Sequence, residues 1–276
     1  MANVVGKIRS ISNINNRNIH SVITNMVCMI VLTAVSNIMG GCGKNVLSNN
    51  MDYSSTSSSP IFTPSPTFTS SSKSKNAGAK LRQLGLRYRQ QGRYADAIIS
   101  LEKATSMEPE NLSGQVLLGW TLHLAGREAS AMKVLEQVLE KDGNYIPALN
   151  SLGIVYLVSG DLDKAVTTHE RAKEIKANNE IAYYNLTLAY QRLKKYDLAI
   201  ARGKQATILE PTNPHPWVAL ALVYWGQGMK TQARQTYNQA VRLDSRYGQS
   251  RFLINLKQAG FSQEQIDNAR EIVKIL

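Results

Sequence analysis

Alanine occurs at Ala97, Ala131, Ala165, Ala199 and Ala233, each 34 residues after the last, with no insertion to break the count. A second ladder runs beside it at Gly85, Gly119, Gly153, Thr187 and Ala221. A fixed period of this length restricts the chain to a stack of small similar units. Each unit is too small to bury its apolar face alone, so neighbours must share one continuous core. A helical solenoid is the expected product.

The spacing within one period predicts two helices. Leu81, Leu84, Gly85 and Tyr88 fall on one helical stripe, and Ala97, Leu101 and Ala104 fall on a second. Gly92, Gly126, Gly160 and Gly228 occupy the turn between them, where glycine reaches the left-handed conformation that ends a helix. The fourth period has Lys194 there, so that turn should carry a strain. Pro109 and Pro211 should end second helices, because proline cannot continue a helix interior. Asn111, Asn144, Asn178 and Asn213 stand at the period boundaries as candidate N-caps. Gly85 is expected to face Ala97 within the first hairpin.

These residues resemble the tetratricopeptide repeat family. Its pattern reads here as Leu81, Leu84-Gly85, Tyr88, Ala97, Leu101, Ala104 and Pro109. The last copy has the tryptophan form at Trp217, with Leu220, Tyr224, Ala233, Tyr237 and Ala240. His169 and Gly203 depart from it where a large apolar residue is usual. The resemblance implies an all-α, right-handed solenoid of five helix-turn-helix repeats, at 78–111, 112–145, 146–179, 180–213 and 214–247. Residues 248–276 leave the pattern. Arg251–Leu256 reads as a helix, Gly260 breaks it, and Ser262 with Gln265 forms a capping box for another. This pair is expected to cover the open end of the stack.

The front of the chain differs in composition. Lys7, Arg9 and Arg17 precede a ten-residue apolar run, Met26–Val35. That is short of the ~20 residues needed to span a bilayer, and it suits a secretory signal core. Met39-Gly40-Gly41-Cys42 resembles the lipobox of bacterial lipoproteins. The resemblance implies a signal peptide over 1–41, cleaved before Cys42, which would then be lipidated. An uncleaved anchor helix over 21–39 and a cytoplasmic chain with a misassigned start remain the alternatives. Residues 42–77 are rich in Ser, Thr and Pro, a composition that does not fold, and are expected to be a disordered tether.

No motif supplies chemistry. His20, His123, His169 and His215 lack metal-ligand spacing, no phosphate-binding loop is present, and no cofactor is expected. His169 falls on a core stripe and is expected to be a hydrogen-bonded core histidine. The net charge of +12 divides into +5 over residues 1–77 and +7 over the rest. We read it as a solvated surface rather than a nucleic-acid site, with Arg82, Arg87, Arg89 and Arg93 as its one dense cluster.

In tetratricopeptide repeats the first helices line the concave face. Projected here, that face is Arg82, Leu86 and Arg89, then Val116, Trp120 and His123, then Asn150, Ile154 and Leu157. Tyr184, Leu188 and Gln191 follow, and then Val218, Leu222 and Trp225. The carboxylate clamp of some family members is not reproduced, since Leu86 stands where one of its asparagines would be. An apolar, aromatic groove of this kind is expected to bind a peptide or amphipathic segment of another protein. Coverage of the groove by neighbouring repeats or by the chain's own tether is the alternative. The expected function is a membrane-tethered adaptor in the bacterial cell envelope, with its repeats in the periplasm, resembling pilotin-like lipoproteins. A membrane-anchored assembly factor facing the cytoplasm is the alternative. An enzyme is not expected.

Overall fold

The computed structural model describes residues 70–276, so the expected signal segment, Cys42 and the expected tether up to residue 69 lie outside the described residues. The described residues are helical, with no strand among them. The helix pairs are α1 (Ser70–Gln90) with α2 (Tyr94–Met107), α3 (Leu112–Leu124) with α4 (Glu128–Lys141), and α5 (Ile146–Ser159) with α6 (Leu162–Ile175). They continue as α7 (Glu180–Arg192) with α8 (Tyr196–Leu209) and α9 (Pro214–Gly226) with α10 (Lys230–Leu243). From α3 onward, the first helices start at 112, 146, 180 and 214, so the period of the sequence is the period of the backbone.

The hairpin turns follow their residues. After α1, the Arg93 N–H donates to the Tyr88 carbonyl and the Gly92 N–H to Arg89, closing a Schellman motif. The same pair of bonds recurs at Gly126 and Gly228. It also recurs at Lys194, which adopts φ +57° to make it. A side chain in this region costs roughly 1–2 kcal/mol, so the fourth turn is held in place by the repeats around it.

The small-residue ladder has a packing reason: Gly85 faces Ala97, whose carbonyl oxygen would be 3.3 Å from an added Cβ, and meets Leu101 more closely still. A Cβ added at Gly85 would lie 2.7 Å from Leu101 Cγ, and one at Gly119 would lie 2.7 Å from Leu135 Cγ. At Gly153 the neighbour is the His169 ring, 2.5 Å from such a Cβ. The fourth repeat reverses the pair: Thr187 brings bulk to the first helix and Gly203 yields on the second, with Thr187 Cγ2 3.1 Å from a Cβ placed at Gly203. Each hairpin therefore fills one space, from either side.

Three expectations need correction here. Asn111 and Asn213 cap α3 and α9, but Tyr145 precedes α5 and the cap of α7 is Asn179, not Asn178. Asn144 instead accepts a hydrogen bond from Arg171. His169 is fully buried, and neither ring nitrogen makes a hydrogen bond of good geometry, the Gly153 backbone offering only a weak one. Burial pushes its pKa down to about 3, so the ring packs as a neutral, leucine-sized group. Finally, α1 starts at Ser70, inside the stretch expected to be tether. No proline or glycine lies between 67 and 77 to stop the helix from running back.

After α10 come two 3₁₀ stretches, Ser245–Gly248 and Phe252–Ala259, and then α11 (Gln263–Val273). Gly260 at φ +85° makes the bend before α11, and the Ser262–Gln265 capping box is formed in both directions.

Candidate functional site: the concave face

The first helices pack side by side, α3 on α5, α5 on α7 and α7 on α9, and carry the face expected to be concave. At its N-terminal end, Arg82 pairs with Glu108, which also accepts from Asn111 at 2.7 Å. Leu86 is half-buried and Arg89 is buried. Arg93 pairs with Asp96 and lies over the Tyr88 ring. Two of the four arginines of the expected patch, Arg82 and Arg93, are thus taken up by separate carboxylates.

In the second repeat Val116 is buried, and Trp120 is only 4% exposed. The Trp120 ring lies 5.0 Å from that of His123, whose Nδ1 is 2.7 Å from Glu128. Asn150 is buried. It exchanges side-chain hydrogen bonds with Asn179 at 2.9 and 3.3 Å, and so ties α5 to the cap of α7. Ile154 is half-buried and Leu157 is fully buried.

The open apolar stripe expected over repeats three to five is closed. The chain's own C-terminal segment packs on the last repeat, against α9 and α10, and reaches from there into the stripe. Tyr184 Oη donates to the Ala259 carbonyl at 2.6 Å. The Gln265 amide donates to Gln191 Oε1 at 2.8 Å and to the Leu188 carbonyl at 3.3 Å. Gly260 sits close enough to Leu157 and Leu188 that a Cβ there would be 3.8 Å from a methyl of each. Leu157, Leu188, Val218 and Leu222 share one apolar cluster with Phe261, Ile266, Ala269 and Ile272. Trp225 stays half-buried at the margin, under Lys230.

Aromatic rings continue the attachment. Tyr184 packs edge-on against Phe261 at 6.1 Å and tilted against His215 at 6.4 Å. His215 in turn meets Tyr247, and Tyr247 meets Phe252. Burial lowers the His215 pKa to about 4 and raises those of Tyr184 and Tyr247. All three are therefore neutral at pH 7 and suited to a dry interface.

Behind the groove, Glu170 gathers Lys173, Tyr190 and Arg202 from α6, α7 and α8. Burial alone would raise its pKa, but these three donors outweigh it and hold the carboxyl below its usual value. The knot fixes the third repeat on the fourth.

The residues overlooked in the sequence are Phe261, Gln265, Ile266, Ala269 and Ile272. Their apolar spacing and capping box were visible, but nothing in the spacing told which surface they would meet. Among the described residues no group of His, Cys, Asp and Glu could hold a metal ion, and no helix is long and apolar enough to cross a membrane.

Models of the tetratricopeptide repeat match residues 88–152, 122–189 and 214–247. Among curated relatives, the probable UDP-N-acetylglucosamine–peptide N-acetylglucosaminyltransferase SPINDLY of Hordeum vulgare is 32% identical over 105 residues, which is 36% of this chain and 11% of that protein. The chloroplastic tetratricopeptide protein PYG7 of Arabidopsis thaliana is 28% identical over 30% of this chain and 29% of its own length. The chain thus spans less than a third of either relative. Among solved structures, pilF of Pseudomonas aeruginosa aligns with a TM-score of 0.58 at 20% identity, over 72% of this chain and 90% of that one. The thermophilic repeat protein TTC0263 of Thermus thermophilus aligns with a TM-score of 0.54 at 22% identity, over 66% and 98%. At these identities the structures speak to the fold alone.

Proposed function

Because the chain carries tetratricopeptide repeats, a scaffold for binding other proteins, we propose that it is a membrane-tethered adaptor that holds a helical segment of a partner protein in its concave face. The observation behind this reading is what the concave face already holds. It grips an amphipathic helix through apolar side chains, two acceptors and a tyrosine hydroxyl. Those are the means by which groove proteins bind helices.

The membrane part of the reading rests on the sequence of residues 1–42. The apolar run at Met26–Val35 and the lipobox-like Met39–Cys42 point to lipidation at Cys42 and to a cell-envelope assembly as the setting. The reading assigns no reaction to the chain, and its partner is a protein rather than a nucleic acid.

Fractionation tests it. The full chain and a Cys42→Ser variant would be expressed in a Gram-negative host and followed with a C-terminal tag. The proposal expects the wild type in detergent-extracted membranes, with its repeats cut by protease added to spheroplasts, and the variant released from the membrane. Identical distribution of both, with the repeats protected, contradicts the lipoprotein and supports the anchor that faces the cytoplasm.

A further inference from the structure

We propose that the 3₁₀ stretch Phe252–Ala259 presents a membrane-contact surface, on which Arg251 and Lys257 meet anionic lipid headgroups and Ile254 enters the bilayer interface between them. The proposal goes beyond the adaptor reading and does not depend on a lipid at Cys42.

Charge is unevenly spread along the repeats. Residues 78–192 carry fourteen Lys or Arg and thirteen Asp or Glu, so their charges nearly cancel. Residues 193–276 carry twelve and six, and hold almost all of the excess. Within 214–260 six bases, Lys230, Arg234, Arg242, Arg246, Arg251 and Lys257, stand against a single acid, Asp244, and that acid is paired with Arg246. On α11, Asp267 pairs with Arg270 and Glu271 with Lys274, so those carboxylates are occupied within their own helix. Arg251 donates to the Gln249 side chain at 3.4 Å. Among the described residues neither Arg251 nor Lys257 forms an ion pair with a carboxylate.

The 3₁₀ geometry turns this excess into a row. With three residues per turn, side chains three apart eclipse one another. Leu253 and Leu256 form the row that faces inward, 0% and 2% exposed. Arg251, Ile254 and Lys257 form a second row, and all three are exposed, Ile254 by 47%. A rise of ~2 Å per residue spaces them roughly 6 Å apart. The Arg246 guanidinium lies 4.8 Å from the centre of the Phe252 ring, which brings a further cation beside the row.

An aliphatic side chain between two unpaired cations matches the boundary between anionic headgroups and acyl chains, where charge attraction and apolar burial act together. A single-stranded nucleic acid would need open aromatic faces for its bases. Here Phe252 lies under Arg246, and Trp225 under Lys230.

The test uses the full chain with Cys28→Ser, Cys42→Ser and Ile254→Cys, the last carrying a polarity-sensitive fluorophore. The label reads contact at residue 254 itself, so insertion of Met26–Val35 does not produce the signal. Vesicles containing phosphatidylglycerol should shift its emission to the blue, and vesicles of phosphatidylcholine alone should not. Adding Arg251→Gln and Lys257→Gln should raise the anionic-lipid concentration for half the shift about thirtyfold, as expected for two charges near the surface. Adding Arg87→Gln and Lys103→Gln instead removes the same charge from exposed sites of the first repeat, and should raise it less than about threefold. No shift on anionic vesicles overturns the proposal, as does an equal shift on neutral ones. An equal loss in the two neutralised variants overturns it too, by reducing the effect to net charge. A shift produced by polyuridylate or polyglutamate without vesicles would give the row to a nucleic acid or an acidic protein instead. None of these outcomes bears on the fractionation of Cys42→Ser, so failure here leaves the adaptor reading standing.

Discussion

The Gln265 amide reaches 74 residues back along the chain to Gln191, donating at 2.8 Å to its side-chain oxygen in a buried setting. Gln265→Ala leaves that oxygen without a donor. The expected loss is about 1–3 kcal/mol in urea unfolding. Gln191→Ala and the double variant complete a cycle, whose coupling should exceed about 0.5 kcal/mol. Additive losses would mean that the two side chains do not meet in solution.

Gly85 and Leu101 share one space in the first hairpin, as Gly119 and Leu135 do in the second. Gly119→Ala should destabilise the chain by roughly 1–3 kcal/mol through overpacking. Adding Leu135→Val should recover part of that loss, since it thins the facing side chain. The fourth repeat offers a control. Gly203→Ala meets its nearest atoms at 3.0 and 3.1 Å, so it should be better tolerated than Gly119→Ala in the same thermal melt.

Lys194 holds φ +57° in a turn where the four other repeats use glycine. Lys194→Gly should therefore stabilise the fold by up to about 1 kcal/mol. Its exposed side chain makes no packing contribution to lose. A lower melting temperature for this variant would show that the lysine is held for its charge.

His169 and His215 are buried neutral, with pKa values lowered to about 3 and about 4 from an ordinary 6.5. The unfolded chain takes up their protons below about pH 6.5 while the folded chain does not. Their contribution is intact above that pH and is lost progressively down to the folded values. Each then adds a slope of roughly 1.4 kcal/mol per pH unit. His169→Leu places in the third repeat the residue that Leu101 and Leu135 provide in the first two. It should raise stability at pH 5 more than at pH 8, measured by denaturant midpoint. Equal shifts at both pH values would contradict a neutral His169.

Much of this structure was legible in advance. The alanine ladder gave the period, the glycines gave the turns, and Ser262 with Gln265 gave the start of the last helix. All of these are local signals, carried by residues within one turn of the feature that they encode. Ala97 does lie beside Gly85, but Leu101 as its tightest neighbour was not legible, because helical spacing identifies a stripe and not which residue of the facing helix comes closest. The groove was misread for a similar reason at longer range. Leu157 looked like an exposed contact and is fully buried, so Leu157→Glu would put a charge in the core and would not test binding. Docking of residues 252–273 on α9 and α10, and from there onto α7 and α5, depends on where the chain turns after α10, and no period describes that single path.

The central claim is that the chain's own C-terminal segment fills the concave face. Its most direct test is a nuclear Overhauser contact between the rings of Tyr184 and Phe261, which lie 6.1 Å apart. The account predicts a cross-peak within one molecule, unchanged on dilution. An absent cross-peak with Phe261 at solvent-exposed shifts, or one seen only between differently labelled copies, would contradict it.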